Sequence, residues 1–325
     1  MKINSSYMMF TLFLILGVVI CVSSNNWLGC WMGVEINMIS FLPIVYNSKN
    51  MVSSESLIKY FIVQSMGSGI LLFSVMFNMI NFSFVIYMTM IGLLIKIGCP
   101  PFHMWFPSVM EGLSWVGCII LMSLQKLAPL VMISYLNFSM LLFIILSAIW
   151  GAMGGISYSS LRKVLSYSSI YNLSWLLTGI MINSYSWYFY FVMYIMMVTM
   201  FSLCLNMLNI NYINQLMCNN MELYENTLLF FLLISLGGLP PFMGFMPKLI
   251  LINQMMEFEM YFICFILVIT ALFVLYYYIR LVFTCLMFNK VFVNYYMFNM
   301  RFLIFLFGLV SFMGFPMLGI IILMV

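Results

Sequence analysis

Four ionisable side chains stand where such groups are scarce: Glu35, Lys96, Lys126 and Lys248 each fall inside a long apolar stretch of the sequence. A charge at the centre of a bilayer costs at least about 2.5–3.5 kcal/mol on an insertion scale, so a group kept there is expected to pair or to serve function. One carboxyl and three amines share one chemistry, the reversible binding of a proton. Burial disfavours the charged form and a neighbouring opposite charge restores it, so a proton moves when a neighbour moves. His103 joins them as a further relay candidate, because an imidazole titrates near neutrality; its bland alternative is a hydrogen bond to a freed carbonyl. A static Glu35–lysine ion pair joining helices is the bland reading of the others, and it suits one residue better than four. Glu111, Glu222, Glu225, Glu257 and Glu259 fall at loops or helix ends, where solvation is expected.

The elements that position these residues must be membrane helices. The 325 residues are 66% hydrophobic and 6% charged, against about 25% charged in soluble domains, which excludes a separate soluble domain. The net charge of +4 is spread over eleven Lys and Arg without a basic stripe, which excludes nucleic acid as a partner. None of the eight cysteines forms a C-x-x-C pair and there is one histidine, so no Zn, Fe–S or haem site is expected in this chain and the cysteines read as packing. Any redox chemistry must then occur in a partner. Met (36), Phe (32) and Tyr (20) abound while aspartate is absent, a bias toward AT-rich codons that suggests an organellar gene. The start, with Lys2 ahead of an apolar run, lacks the Arg-rich amphipathic pattern of an import sequence, as expected of a product inserted from inside the organelle.

Eleven stretches reach the roughly 20 residues that a spanning helix needs. They run over 6–22, 27–46, 57–80, 84–110, 113–136, 139–155, 161–182, 187–208, 226–254, 260–287 and 302–323. They exceed the length of a barrel strand and lack period-two alternation, so the fold class is all-α and polytopic. With eleven spans the termini lie on opposite sides. The amino-terminal side then collects Lys2, Lys49, Lys59, Arg162, Lys163, Lys290 and Arg301, and the other side collects no Lys or Arg. By the positive-inside bias, the amino terminus faces the cytoplasm-equivalent compartment, the matrix of a mitochondrion.

Two segments share one pattern. Gly98-Cys99-Pro100-Pro101-Phe102 with Pro107 matches Gly238-Leu239-Pro240-Pro241-Phe242 with Pro247 at a constant offset of 140 residues. Prolines remove donors and glycine admits irregular dihedrals, so the fourth and ninth spans are expected to break mid-membrane. Spans five apart cross in opposite directions, the signature of an inverted transporter repeat with its ion site at the breaks. Lys96 and Lys248 flank those breaks.

The motif Gly29-Cys30-Trp31-Met32-Gly33-Val34-Glu35-Ile36-Asn37, the stretch 55–61 with Gln64-Ser65, the stretches 96–107, 161–170 and 237–248, and Gln125-Lys126-Leu127-Ala128-Pro129 together resemble the chain 2 subunits of mitochondrial NADH:ubiquinone oxidoreductase (respiratory complex I), of insect type. The resemblance implies an antiporter-like, proton-translocating module in the membrane arm, driven by electron transfer from NADH to ubiquinone elsewhere in an enzyme of which this chain is one subunit. FMN, Fe–S clusters and ubiquinone belong to partner subunits, and the partners are other membrane-arm subunits and lipids. By position, Glu35 matches the family's membrane glutamate, Lys96 its partner on the first broken helix, Lys126 the central lysine and Lys248 the lysine of the second broken helix. The implied organisation is a first five-helix repeat over 1–136, an inverted second over 137–288 and a final helix within 289–325, without three amino-terminal helices that bacterial relatives carry. The location implied is the mitochondrial inner membrane, with the amino terminus in the matrix and the carboxyl terminus in the intermembrane space. A free-standing cation/proton antiporter of the same fold is the alternative.

Overall fold

The computed structural model describes residues 5–47, 50–77, 83–136, 138–182, 184–218 and 223–287. The final expected span (302–323), the cations Lys2, Lys49, Lys290 and Arg301, and Glu222 lie outside the described residues, as does the side chain of Glu225. The chain divides into two compact units, Met1–Ser139 and Met140–Val325. The first holds α1 (Ser5–Ser23), α2 (Trp27–Val45), α3 (Met51–Phe77), α4 (Ser83–Ile97), α5 (Trp105–Gly112), α6 (Trp115–Met122) and α7 (Leu124–Ser134). The second holds α8 (Leu141–Gly154), α9 (Leu161–Met181), α10 (Ser186–Met207), α11 (Ile213–Cys218), α12 (Leu223–Gly237), α13 (Phe245–Glu257) and α14 (Tyr261–Met287).

Every expected span among the described residues is a single helix or a broken pair of helices. Six stretches are long and apolar enough to cross a bilayer: α1, α2, α3, the α6–α7 pair, α10 and α14. Of the others, α4 and α12 are shortened by a break, α8 has only 14 residues, and α9 is too polar. Between Leu161 and Ile180 α9 carries Ser166, Ser168, Ser169, Asn172, Ser174 and Thr178, and all are buried. A helix enclosed by protein meets no lipid and has no need of an apolar surface. Its hydroxyls are satisfied by their own helix: Ser168 Oγ donates to Leu165 O at 2.8 Å, Ser174 to Tyr171 O at 2.6 Å and Thr178 Oγ1 to Trp175 O at 2.7 Å. By contrast, α1 leaves Met8, Leu12, Ile15, Leu16 and Val19 exposed, the outward face expected toward lipid tails.

Three local features depart from the expected pattern. The fifth span, expected to be continuous, breaks at Ser123 (φ −108°, ψ −84°), between α6 and α7. The break lies two residues before Gln125, whose carbonyl Pro129 leaves without its helical donor. The third helix begins at Met51, six residues ahead of the apolar stretch, because its first turns carry Ser53, Ser54, Glu55 and Ser56, which are polar yet helical. There Lys59 Nζ meets Glu55 Oε1 at 2.6 Å on adjacent turns, so Lys59 is a helix residue and not a loop one. A short extra helix, α11, follows α10, and the segment between them is pinned by Leu161 N–H donating to Asn211 O (3.0 Å) and Ile213 N–H to Ser159 O (3.0 Å).

Candidate functional site

Both expected breaks form, and with the same backbone chemistry. Gly98 and Gly238 take left-handed dihedrals, φ 76° and 79°, which a Cβ would strain. At the first, Gly98 N–H bonds to Leu94 O (3.0 Å) and Cys99 N–H to the same oxygen (3.0 Å). At the second, Gly238 N–H bonds to Ile234 O (3.0 Å) and Leu239 N–H to the same oxygen (3.5 Å). A left-handed glycine just past the helix end terminates α4 and α12 by satisfying their last carbonyls, and the proline pairs that follow cannot restart a helix. The Pro100–Pro101 peptide is cis.

Carbonyls still exposed at the first break are met by side chains. Trp105 Nε1 donates to Ile95 O at 3.1 Å, beside Gly98 N–H at 3.2 Å, and Gln64 Nε2, reaching from α3, donates to Lys96 O at 3.0 Å. A buried carbonyl without a donor costs about 1–3 kcal/mol, so these two residues hold the break open at a fixed place.

In the first unit the residues singled out by sequence converge on this break. Lys96, in the last turn of α4, is 5% exposed, and its Nζ is buried without a hydrogen-bond partner among the described residues. Its stem lies against Gly67 of α3, where a Cβ would come within 3.0 Å of Cγ. Glu35, half-buried on α2, acts on Lys96 electrostatically, yet no Glu35–Lys96 ion pair forms among the described residues. Lys126, in the first turn of α7 and 2% exposed, holds its Nζ 4.6 Å from the centroid of Phe106, a cation–π contact to the helix beyond the break. His103 is buried in the break itself.

Sequence reasoning missed the polar side chains that knit these together. Tyr60 Oη, also in electrostatic reach of Glu35, donates to Gln125 Oε1 at 3.1 Å. Gln125 Nε2 donates in turn to the carbonyl of Asn37 at 3.1 Å and to its Oδ1 at 3.3 Å. A hydrogen-bonded chain therefore runs from α3 through the neighbour of Lys126 to the helix of Glu35. The available signal was the presence of Asn37, Gln64 and Gln125 inside apolar stretches; their partners, more than twenty residues away in sequence, had none.

Lys248 stands in the second unit, in the first turn of α13 and 7% exposed. Its Nζ donates to Gly237 O at 3.1 Å and lies 5.7 Å from the Tyr171 ring centroid. Beside it is a cavity of about 20 Å³ lined by Asn172, Tyr190, Tyr194, Ser235 and Lys248 among others. Tyr190 Oη donates to Asn172 Oδ1 at 2.8 Å. A space of this size with several polar walls meets the requirement for a buried water. Among the described residues no three His, Cys, Asp or Glu side chains gather in a way that could hold a metal ion.

Two broken helices, each with a buried lysine at its break, define an antiporter-like membrane protein, and the comparisons agree. The family model described as NADH:quinone oxidoreductase/Mrp antiporter, TM matches residues 24–83 and 75–274. NADH-ubiquinone oxidoreductase chain 2 of Anopheles gambiae is 43% identical over 293 residues, covering 86% of each chain. The chain belongs to the NADH-ubiquinone oxidoreductase chain 2 family. Its fold is similar to a chain of respiratory complex I from Thermus thermophilus, with a TM-score of 0.83 at 16% identity over 96% of this chain and 78% of that one. It is also similar to a chain of the Mrp complex from Dietzia, with a TM-score of 0.77 at 15% identity over 86% of this chain and 60% of that one.

Proposed function

We propose that this chain is a membrane-arm core subunit of NADH:ubiquinone oxidoreductase and that it translocates protons through Glu35, Lys96, Lys126 and Lys248, with His103 as a further relay. The observation that carries the reading is the Lys96 ammonium, buried without a hydrogen-bond partner among the described residues and under the field of Glu35. With no hydrogen bond among those residues to fix its proton, its protonation follows the charge on its neighbour. Lys96 and Lys126 accept protons from the matrix side and pass them toward Lys248, while Glu35 tunes Lys96. Moving one charge against about 180 mV costs roughly 4 kcal/mol, a scale that a change in one neighbouring buried charge can meet.

In this reading residues 1–136 and 137–288 are two inverted five-helix repeats, and 289–325 supplies a closing helix. The protein lies in the mitochondrial inner membrane with its amino terminus in the matrix, among other membrane-arm subunits and lipids. It carries no redox centre of its own; FMN, the Fe–S clusters and ubiquinone belong to its partners. The free-standing antiporter has less support, because the likeness to the Mrp complex is one of fold at 15% identity, whereas the insect oxidoreductase chain is 43% identical. Glu35→Gln in the assembled complex tests the proposal: protons pumped per electron fall while electron transfer continues, and an unchanged ratio refutes the role of Glu35. Ion exchange by the isolated chain would instead favour the antiporter.

A further inference from the structure

Cys21, in the last turn of α1, and Cys30, in the first turn of α2, are both buried and stand beside each other beneath the α1–α2 turn. The two helix backbones touch here. A Cβ on Gly33 would stand 2.7 Å from Cys21 N and 3.0 Å from its Cα, and a Cβ on Gly17 would stand 2.8 Å from Gly33 O. Cys30, one turn before Gly33, brings its Sγ within 3.6 Å of Cys21 O. A disulfide needs Cα atoms about 4.4–6.8 Å apart, and the contact of Cys30 Sγ with the backbone of Cys21, between helices that touch, puts the two residues side by side.

The pair is buried but close to an opening. Ser24, half-buried in a turn whose Ser23, Asn25 and Asn26 are exposed, holds its Oγ 3.1 Å from Cys30 Sγ. On the inner side Cys21 Sγ approaches Ala128 O at 3.9 Å, so Cys30, beside the exposed turn, is the more accessible of the two thiols. Oxidation of an accessible thiol with a second thiol beside it is reversible, because the sulfenic acid condenses with its neighbour to a disulfide.

We propose that Cys21 and Cys30 form a dithiol that hydrogen peroxide oxidises to a disulfide, fastening α1 to α2 against the helix that carries Lys126. Cys30 sulfur attacks the O–O bond, giving the sulfenic acid and a hydroxide that leaves as water with the thiol proton. Cys21 sulfur then attacks the sulfenic sulfur, the S–O bond breaks, and the departing hydroxide takes the second thiol proton. Two thiols and one peroxide become one disulfide and two waters; each sulfur loses one electron and the peroxide gains two.

The test uses the native complex. It is treated with hydrogen peroxide, denatured in a maleimide, digested and analysed by mass spectrometry, with a surface thiol of the complex as the control for oxidation. The inference expects maleimide labelling of Cys21 and Cys30 to fall together several-fold. A peptide linking the two, lighter by two hydrogens, should appear, and dithiothreitol should return both labels. Full labelling of both cysteines after the control thiol is oxidised overturns it, as does irreversible oxidation of one while the other still labels. These masses read the thiol chemistry alone and hold whether or not the chain pumps protons.

Discussion

Lys248 donates from its Nζ to the carbonyl oxygen of Gly237, 3.1 Å away across the break that separates α12 from α13. The lysine therefore stands as the cap of the helix that ends before it. Whatever draws its ammonium toward the neighbouring cavity frees a carbonyl, and whatever removes its proton turns a charge-assisted bond into a neutral one. Lys96 is arranged differently: its own carbonyl is capped by Gln64 and its Nζ is left uncommitted among the described residues. The two breaks share a backbone and differ in what their lysines hold.

Gly238→Ala tests the shared backbone. A Cβ there would lie 2.7 Å from Lys248 Nζ on a residue with φ 79°, and the left-handed conformation alone costs about 1–2 kcal/mol. The expected outcome is a lower thermal midpoint of the assembled complex together with weakened pumping. Gly237→Ala, whose added Cβ would meet nothing nearer than 3.9 Å, is expected to leave both almost unchanged.

Removal of the donors that cap the first break should be costly without touching any charge. Gln64→Leu orphans Lys96 O at about 1–3 kcal/mol, whereas Trp105→Phe leaves Ile95 O with Gly98 N–H at 3.2 Å and is expected to cost less, about 0.5–1.5 kcal/mol. Thermal unfolding of the complex checks this; a loss below about 0.5 kcal/mol for Gln64→Leu would mean that another group satisfies Lys96 O.

The contact between Lys126 and Phe106 is read by a pair of substitutions. Phe106→Leu removes a ring 4.6 Å from Nζ, a contact of about 0.5–2 kcal/mol, whereas Phe106→Tyr keeps the ring face. Stability and pumping rate are expected to fall for the first and to stay near the parent for the second. Equal behaviour of the two variants would remove the aromatic face from the account.

Much of this was legible in the sequence because a bilayer is a strict solvent. Glu35, Lys96, Lys126 and Lys248 stood out against apolar surroundings, and Gly98-Cys99-Pro100-Pro101 beside Gly238-Leu239-Pro240-Pro241 marked both breaks, since backbone interruptions need residues of special geometry. The break at Ser123 was not legible, because serine is ordinary in helices and Pro129, the nearer signal, sits inside α7. The start of α3 was misplaced because its first turns are polar while still helical. The Tyr60–Gln125–Asn37 chain joins helices distant in sequence and the Asn172–Tyr190 bond joins two consecutive ones, and cross-helix pairing leaves no periodic trace. The contact of Cys30 with Cys21 was hidden for the same reason, and the cysteines read as packing alone.

The central claim is that protonation of Lys96 is part of the pump. The measurement is the number of protons moved per electron by the assembled complex in sealed vesicles, with Lys96→Met compared with the parent. Methionine fills much of the space of the lysine stem beside Gly67 and carries no proton. The account predicts a lower ratio with assembly retained; an undiminished ratio at equal assembly would contradict it.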